Sequence, residues 1–431
     1  MPFDSEELER RRQQRLERQQ MRQQEQRKLL VRLLAAGIVL VLATVIIVAV
    51  SVGSAGDRET TVPSTVQTPD QTQGQTEAQT QPPTTVIHLA AAGDLNITDA
   101  VVAAGGPNYG GDAYDYTNAF LDVAHILADA DIATVNLEGN LYGFPYGTET
   151  ASAPQAMMDA LAKAGVDLVQ LANSYAINQG LSGLAQTIQG VRAAGMEPLG
   201  VYATPEEFKT GKGFVIRDVQ GVRIAFVAFT KGMDGTALPA GNENCVNVLY
   251  TDYDSTYQEV DTEGITRVLD AVNKAQPDLT VALLHWGSEF NNTISTSQEK
   301  IRALLQEKGV DAIIGTHSHY VQQMTLDPKT GNFVAYSLGD FFGDAQRSGS
   351  EYSVILDLEI TKDHKTGQTA ITDYSYTPIF TVAQKDTPMR VLRIEEAVAA
   401  YEAGFIDRVS SGTYDAMQYA LGRIEARIAG E

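Results

Sequence analysis

An α/β domain built on mixed β-sheets is the fold this sequence predicts, and two observations predict it. From Val86 onward, short β-branched runs alternate with stretches of helical periodicity, the pattern of strand–helix units. Near the end, FVAYSLGDFF, YSVILDLEI and TAITDYSYTPIFTV follow one another as strands without helices between them, which makes the sheets mixed.

The elements run in order. VIHLAAAGDL is a strand, FLDVAHILADA a helix and DIATVNLE a second strand. A helix near PQAMMDALAKAG follows, with Ser152 and Gln155 at the spacing of a capping box. VDLVQLAN, a helix near LAQTIQGVRAAG, and MEPLGV come next. GFVIRDV and VRIAFVAFT, joined by QG, read as a hairpin. ITRVLDAVNKA, LTVALLHW, QEKIRALLQEKG and VDAIIGTH then alternate helix with strand. After the strand-rich part, helical segments are expected at roughly 394–405 and 411–428. The globular domain is thus set at 86–393, with a helical C-terminal segment at 394–431.

The region before Val86 has a different texture. Residues 1–32 are polar and rich in Gln and Arg, and 33–52 then run 20 residues without a charge. As a helix at about 1.5 Å per residue, that run spans the roughly 30 Å hydrocarbon core of a bilayer. It is apolar all round, so it does not read as an amphipathic core helix. Basic residues crowd its N-terminal side while Asp57 and Glu59 follow it, which places the N-terminus in the cytoplasm and the rest outside. A cleavable signal peptide is the competing reading, with a weak cleavage sequence at Ser51–Ala55. The length of the run favours a retained single-pass anchor in the cell membrane. Residues 53–85, rich in Thr, Gln and Pro, have too few apolar side chains to fold and read as a flexible stalk.

Charge and cysteine content exclude some classes of function. Acidic residues outnumber basic ones 54 to 32, a net charge of −22 that argues against nucleic acid as a partner. The single cysteine, Cys245, rules out an intrachain disulfide framework, so an extracytoplasmic domain must draw its stability from its core.

The chemistry-bearing residues share a position. Asp94, Glu138, Asn173, His285, His317 and His319 all lie at or just past the C-terminal ends of predicted strands, the edge where open α/β sheets bind ligands. Each alone has an ordinary structural explanation as a turn, a cap or a core histidine. Together, carboxylates, a carboxamide and imidazoles make a site for a divalent ion, Mn, Zn or Fe rather than Ca, which prefers an all-oxygen shell. His88, His125 and His364 fall in a strand, a helix and a polar loop and read as structural or solvated.

The segments that carry these residues are Ala92-Gly93-Asp94, Asn136-Leu137-Glu138, Leu171-Ala172-Asn173 with Gly180 and Gly183-Leu184, His285-Trp286-Gly287-Ser288-Glu289, Ile313 to His319, and Tyr336 to Phe341. In that order, over about residues 86–345, they resemble the CapA, or poly-γ-glutamate capsule synthesis, family of the metallophosphatase superfamily. The resemblance implies a sandwich of two mixed sheets flanked by helices, with Asp94, Glu138, His285, His317 and His319 as ligands of one or two metal ions. Tyr175 and His285 then take catalytic positions, and Asn173, Trp286, Glu289 and Asp340 face the substrate.

The chain departs from the family pattern in places. Ser174 and Tyr175 stand where the family has Asn and His, Asn178 where it has Asp, Ser318 where it has Pro, and Asp340 where Asn is usual. A hydroxyl is a poorer ligand than a carboxamide, and a phenol near pKa 10 is a weaker acid at neutral pH than an imidazole near 6.5. The expected function is a membrane-anchored, metal-dependent hydrolase or transferase acting on an anionic surface polymer or its precursor. Capsule-synthesis membrane proteins are its expected partners. The alternative is a polymer-binding or scaffolding module that keeps the fold without turnover.

Overall fold

The computed structural model describes residues 83–107, 113–384, 387–405 and 409–431. The basic tail 1–32, the membrane anchor 33–52 and all but the last residues of the stalk 53–85 lie outside the described residues. Within them, no helix is long and apolar enough to cross a membrane.

Two sheets carry the fold. In the first, β1 (Thr84–Asn96), β2 (Ile132–Glu138), β3 (Leu168–Gln170) and β4 (Glu197–Leu199) run parallel. On the other side of β1 the sheet continues antiparallel through β12 (Tyr352–Asp363), β13 (Thr369–Gln384) and β14 (Thr387–Arg393). All seven residues of β2, IATVNLE, are buried, as a parallel strand covered on both faces requires.

The second sheet has the order β5 (Phe214–Val219), β6 (Val222–Thr230), β7 (Leu279–His285), β8 (Ala312–Thr316), β10 (Phe333–Ala335), β9 (Met324–Leu326). Its four central strands, β6, β7, β8 and β10, are parallel and both edge strands antiparallel.

The side-chain alternation of β6 shows how the sheets are layered. Ile224, Phe226 and Ala228 enter the core shared with Leu89, Val135 and Leu356 of the first sheet. Ala225, Val227 and Phe229 point the other way, into a second core with Ile265, Val268 and Leu269 of α7 (Thr262–Ala275) and Ile301 and Leu305 of α8 (Thr296–Glu307). A period of two therefore feeds a sheet-on-sheet core and a sheet-on-helix core from one strand.

The remaining helices are α1 (Asp99–Ala104), α2 (Thr117–Phe120), α3 (Ala124–Asp129), α4 (Gln155–Ala164), α5 (Gly180–Ala193), α6 (Pro205–Gly211), α9 (Ile394–Glu402) and α10 (Ser411–Ala429). The last two correspond to the expected C-terminal helices. Buried Met417, Ala420, Ile424 and Ile428 join α10 to the main core, and α9 and α10 both pack on the antiparallel wing.

Four expectations need correction. The helix through FLDVAHILADA is two short helices, α2 and α3, separated by a turn. Ser152 does not cap α4: Pro154 takes the cap position, and the Ser152 hydroxyl donates to Gly143 O at 2.9 Å. The strand β14, TPMRVLR, stands where the sequence pattern predicts no element. FVAYSLGDFF is not one strand: β10 belongs to the second sheet, and the chain then crosses to the first, where β11 (Asp340–Phe342) pairs parallel with β1. The crossing needs close backbone contact. A Cβ on Gly93 would lie 1.8 Å from Gly339 O, and Gly339 itself has φ +81°.

Candidate metal centre

The crossing segment and the parallel strands bring the C-terminal edges of both sheets to one place. Asp94 on β1 is in register with Asn136 of β2 on one side and with Asp340 of β11 on the other. Asn136 and Glu138, two residues apart on β2, share a face. From the second sheet, β7 ends in His285, opposite Thr316 at the end of β8. His317 and His319 follow, with φ +86° and +59°. Left-handed backbone is costly at two non-glycine residues, and here it accompanies two imidazoles held with ring centroids 6.2 Å apart in one buried site. The His317 backbone N–H donates to Asp94 Oδ2 at 2.7 Å, tying the loop of one sheet to the acid of the other.

Two groups of three side chains that could hold a metal ion result, each with one donor atom per residue within 4.8 Å of the others: Glu138, His285 and His317, and Asp94, His319 and Asp340. All six side chains are buried. His285 Nε2 lies 3.3 Å from Glu138 Oε1, and His319 Nδ1 donates to Asp340 Oδ1 at 2.8 Å. Asn136 Nδ2 donates to Asp94 Oδ1, and the Ser174 hydroxyl is hydrogen-bonded to His285 Nε2 at 2.9 Å.

Burial and crowding of three carboxylates dominate the electrostatics. Burial, with Glu138 adding repulsion, pushes Asp94 above the usual carboxylate range. Burial, with further repulsion from Asp94 and Glu138, lifts Asp340 to about 7 against the pull of His319. Glu138 also suffers from burial, yet His285 and His319 hold it well below its ordinary value. His317 drops to about 3, through burial and the neighbouring His285. His319 rises to about 11: Asp340 and Glu138 outweigh the cost of burying its charge.

These residues fit a divalent cation. Glu138 Oε2 and His317 Nδ1 are fully buried and make no hydrogen bond among the described residues. Their contacts within the cluster, 3.9 Å to His319 Nε2 and 3.7 Å to Glu138 Oε1, are too long for one. Buried polar atoms are normally satisfied, and two orphaned lone-pair donors among surplus carboxylates are what a metal site leaves when side chains alone are counted. Imidazole with carboxylate suits Zn, Mn or Fe.

The other residues singled out from sequence sit differently. Asn173 is fully buried but spent on backbone: its Nδ2 donates to Leu137 O, and its Oδ1 accepts from Tyr175 N at 2.9 Å. It braces the loop rather than facing a substrate. Trp286 is likewise unavailable to a substrate. It is fully buried in the sheet-on-helix core, stacks on Tyr336 at 5.6 Å and donates Nε1–H to Tyr336 O at 2.8 Å. Adjacent strand residues point to opposite faces, which is why His285 reaches the site and Trp286 does not. Asp340 is buried in the cluster, where it accepts from His319 Nδ1 and joins Asp94 and His319 in the second group. Glu289 is exposed at the rim. Tyr175 is half-buried, and burial with Glu138, Glu289 and Asp234 nearby pushes its phenol up to about 12.

Asn136 and Ser174 contact Asp94 and His285 directly, and Asn136 is a site residue that the sequence pattern does not single out. The available signal is an Asn two positions before Glu138, on the same face of the strand.

Comparison with known proteins agrees with the sequence resemblance. The family model described as bacterial capsule synthesis protein PGA_cap matches residues 88–345. The chain is 29% identical over 209 residues to the capsule biosynthesis protein CapA of Bacillus anthracis, an alignment covering 48% of each chain. It is 25% identical over 201 residues to the PGA biosynthesis protein CapA of Bacillus subtilis strain 168, covering 47% of this chain and 48% of that one. It thus spans about half the length of the curated relatives it matches. Similar solved structures include the calcineurin-like phosphoesterase YfkN of Bacillus subtilis, at 15% identity and TM-score 0.42 over 78% of this chain and 99% of that one. A phosphatase from Mycoplasma pneumoniae matches at 14% identity and TM-score 0.41, over 69% and 94%.

Proposed function

This chain belongs to the PGA_cap family of bacterial capsule synthesis proteins, and on that premise we propose that it is a metal-dependent hydrolase or transferase acting on an anionic surface polymer, poly-γ-glutamate or a relative. The observation that carries this reading is the pair of orphaned atoms, Glu138 Oε2 and His317 Nδ1, inside a buried cluster of three carboxylates and three imidazoles. In this reading residues 33–52 anchor the protein in the cell membrane with the domain outside, beside capsule-synthesis membrane proteins.

Glu138, His285 and His317 would hold one ion, and Asp94, His319 and Asp340 a second where two bind. The chemistry such ions supply when bound is Lewis-acid polarisation of the scissile group and acidification of water. The chain's own residues set the conditions for it. Asn136 and the His317 backbone N–H fix the Asp94 carboxylate, and Asp340 fixes the His319 ring. Such supporting bonds orient ligands and tune their basicity. Tyr175, with its phenol near 12, stays protonated at neutral pH and acts as a neutral hydrogen-bond donor rather than a proton shuttle.

The test is release of short chains or free ends from poly-γ-glutamate by the full protein, metal-loaded and chelated, beside the H317A/H319A double variant. Turnover that needs metal and is lost in the double variant supports the proposal. Metal-loaded protein that turns over neither this polymer nor simple phosphoesters contradicts it. One observation favours a second reading, a polymer-binding scaffold: Ser174 in the family's Asn position hydrogen-bonds His285 Nε2, satisfying a ligand nitrogen internally.

A further inference from the structure

Around the centre, carboxylates crowd and cations are few, and two basic side chains stand at its edge. Arg347, exposed in the segment between β11 and β12, lays its guanidinium 4.8 Å from the ring centroid of Phe290. Phe290 stacks in turn on His319, with centroids 4.9 Å apart. The backbone holds Phe290 there: its φ is +51°, and its N–H donates to Ser318 O at 2.9 Å. Arg347, Phe290 and His319 are therefore three layers running from solvent to the Asp94, His319 and Asp340 group. Among the described residues no carboxylate and no other acceptor engages the Arg347 guanidinium.

Lys231 stands against the other group. It follows β6, and its backbone N–H donates to His285 O at 2.8 Å. Its ammonium donates to Gly287 O at 2.9 Å, lies 4.7 Å from the Tyr257 ring centroid, and its charge bears on His317. Glu289 at the rim helps keep it charged against its half-buried surroundings. An ammonium has three donors, and among the described residues the one engaged by an oxygen is the bond to Gly287.

We propose that Arg347 and Lys231 form a two-point subsite for the carboxylates of an anionic polymer, one cation beside each ligand group. The inference rests on the proposed function and adds the residues that select the substrate. A chain of net charge −22 repels a polyanion at long range, so local cations must supply the attraction. A guanidinium stacked on an aromatic ring keeps its fork free, matches a carboxylate with two parallel N–H donors, and loses little entropy on binding. Lys231, closer in, takes a single oxygen as a point charge. The pair would let the enzyme grip a polymer by the charges flanking the scissile bond.

The experiment is binding of fluorescently labelled poly-γ-glutamate to the full metal-loaded chain. R347A, R347K and K231Q are compared with the parent, with an amidated, uncharged polymer of equal length as control. Metal content is measured on every sample. Since Arg347 is exposed, R347A is expected to keep the fold and the metal while weakening binding roughly tenfold or more. R347K should recover part of the loss, and the amidated polymer should not bind. Salt dependence should flatten in R347A, as one cation fewer meets the polymer. Equal binding by parent and R347A at equal metal content overturns the proposal, as does a metal-loaded parent with no affinity for the polymer. Loss of metal from the parent itself would instead strike the reading of the centre, which the metal measurement shows separately.

Discussion

The two ligand groups at the sheet edges are close in space and unlike in chemistry. Glu138, His285 and His317 offer two imidazoles and one carboxylate, and they include the orphaned Nδ1 of His317 and Oε2 of Glu138. Asp94, His319 and Asp340 offer two carboxylates and one imidazole, already engaged: Asp94 by Asn136 and the His317 N–H, His319 by Asp340. The first group keeps unsatisfied donors in a buried place, which costs free energy that a cation recovers. The second has partly neutralised itself with an internal ion pair. An ion should therefore bind the first group tightly and the second more weakly, with the imidazole-rich first group the better host for Zn and the harder second one for Mn.

The contrast can be broken most sharply at His317. His317→Ala should remove the tighter equivalent of metal altogether, seen as a loss of about one equivalent in metal analysis against the parent. Asp340→Asn should weaken the second equivalent by roughly 10- to 100-fold while leaving the first, measured by titration with a competing chelator.

A pH series should separate the groups next. His319 is held up to about 11, so in the metal-free protein it carries a proton at neutral pH that a metal must displace. Affinity at the second group should then rise with pH, by about tenfold per unit for the His319 proton and more steeply below about 7, where Asp340 also carries one. His317, near 3, is already neutral there, so its own proton adds no such slope at the first group. Asp340→Asn removes the partner that keeps His319 charged and should flatten the second slope. A common steep slope for both equivalents would contradict the division. The smallest effect is expected at Tyr175: since its phenol stays protonated, Tyr175→Phe should lower kcat by less than about tenfold without changing the pH profile near neutrality.

The alternation of strands and helices made the α/β fold readable, because β6, β7 and β8 are near-continuous apolar runs and α7 and α8 are cleanly periodic. The placement of Asp94, Glu138, His285, His317 and His319 at strand ends was also legible, since parallel sheets gather such ends at one edge. What sequence could not give were facts of register and facing. FVAYSLGDFF reads as one apolar strand, and only the close approach of Gly93 to Gly339 O decides that it changes sheets. Trp286 and Asn173 lie beside site residues in sequence, yet one faces a core and the other is consumed by backbone bonds. Asn136 was hidden for the opposite reason, a mid-strand polar residue whose role depends on its pairing with Asp94.

The measurement that bears most directly on the central claim is metal content by mass spectrometry on the full chain, purified without chelators, beside His317→Ala. The account expects one tightly held equivalent of Zn, Mn or Fe in the parent, a second that depends on metal supplied, and loss of the tight equivalent in the variant. A folded parent that retains no divalent metal, or a variant that retains as much as the parent, would contradict it.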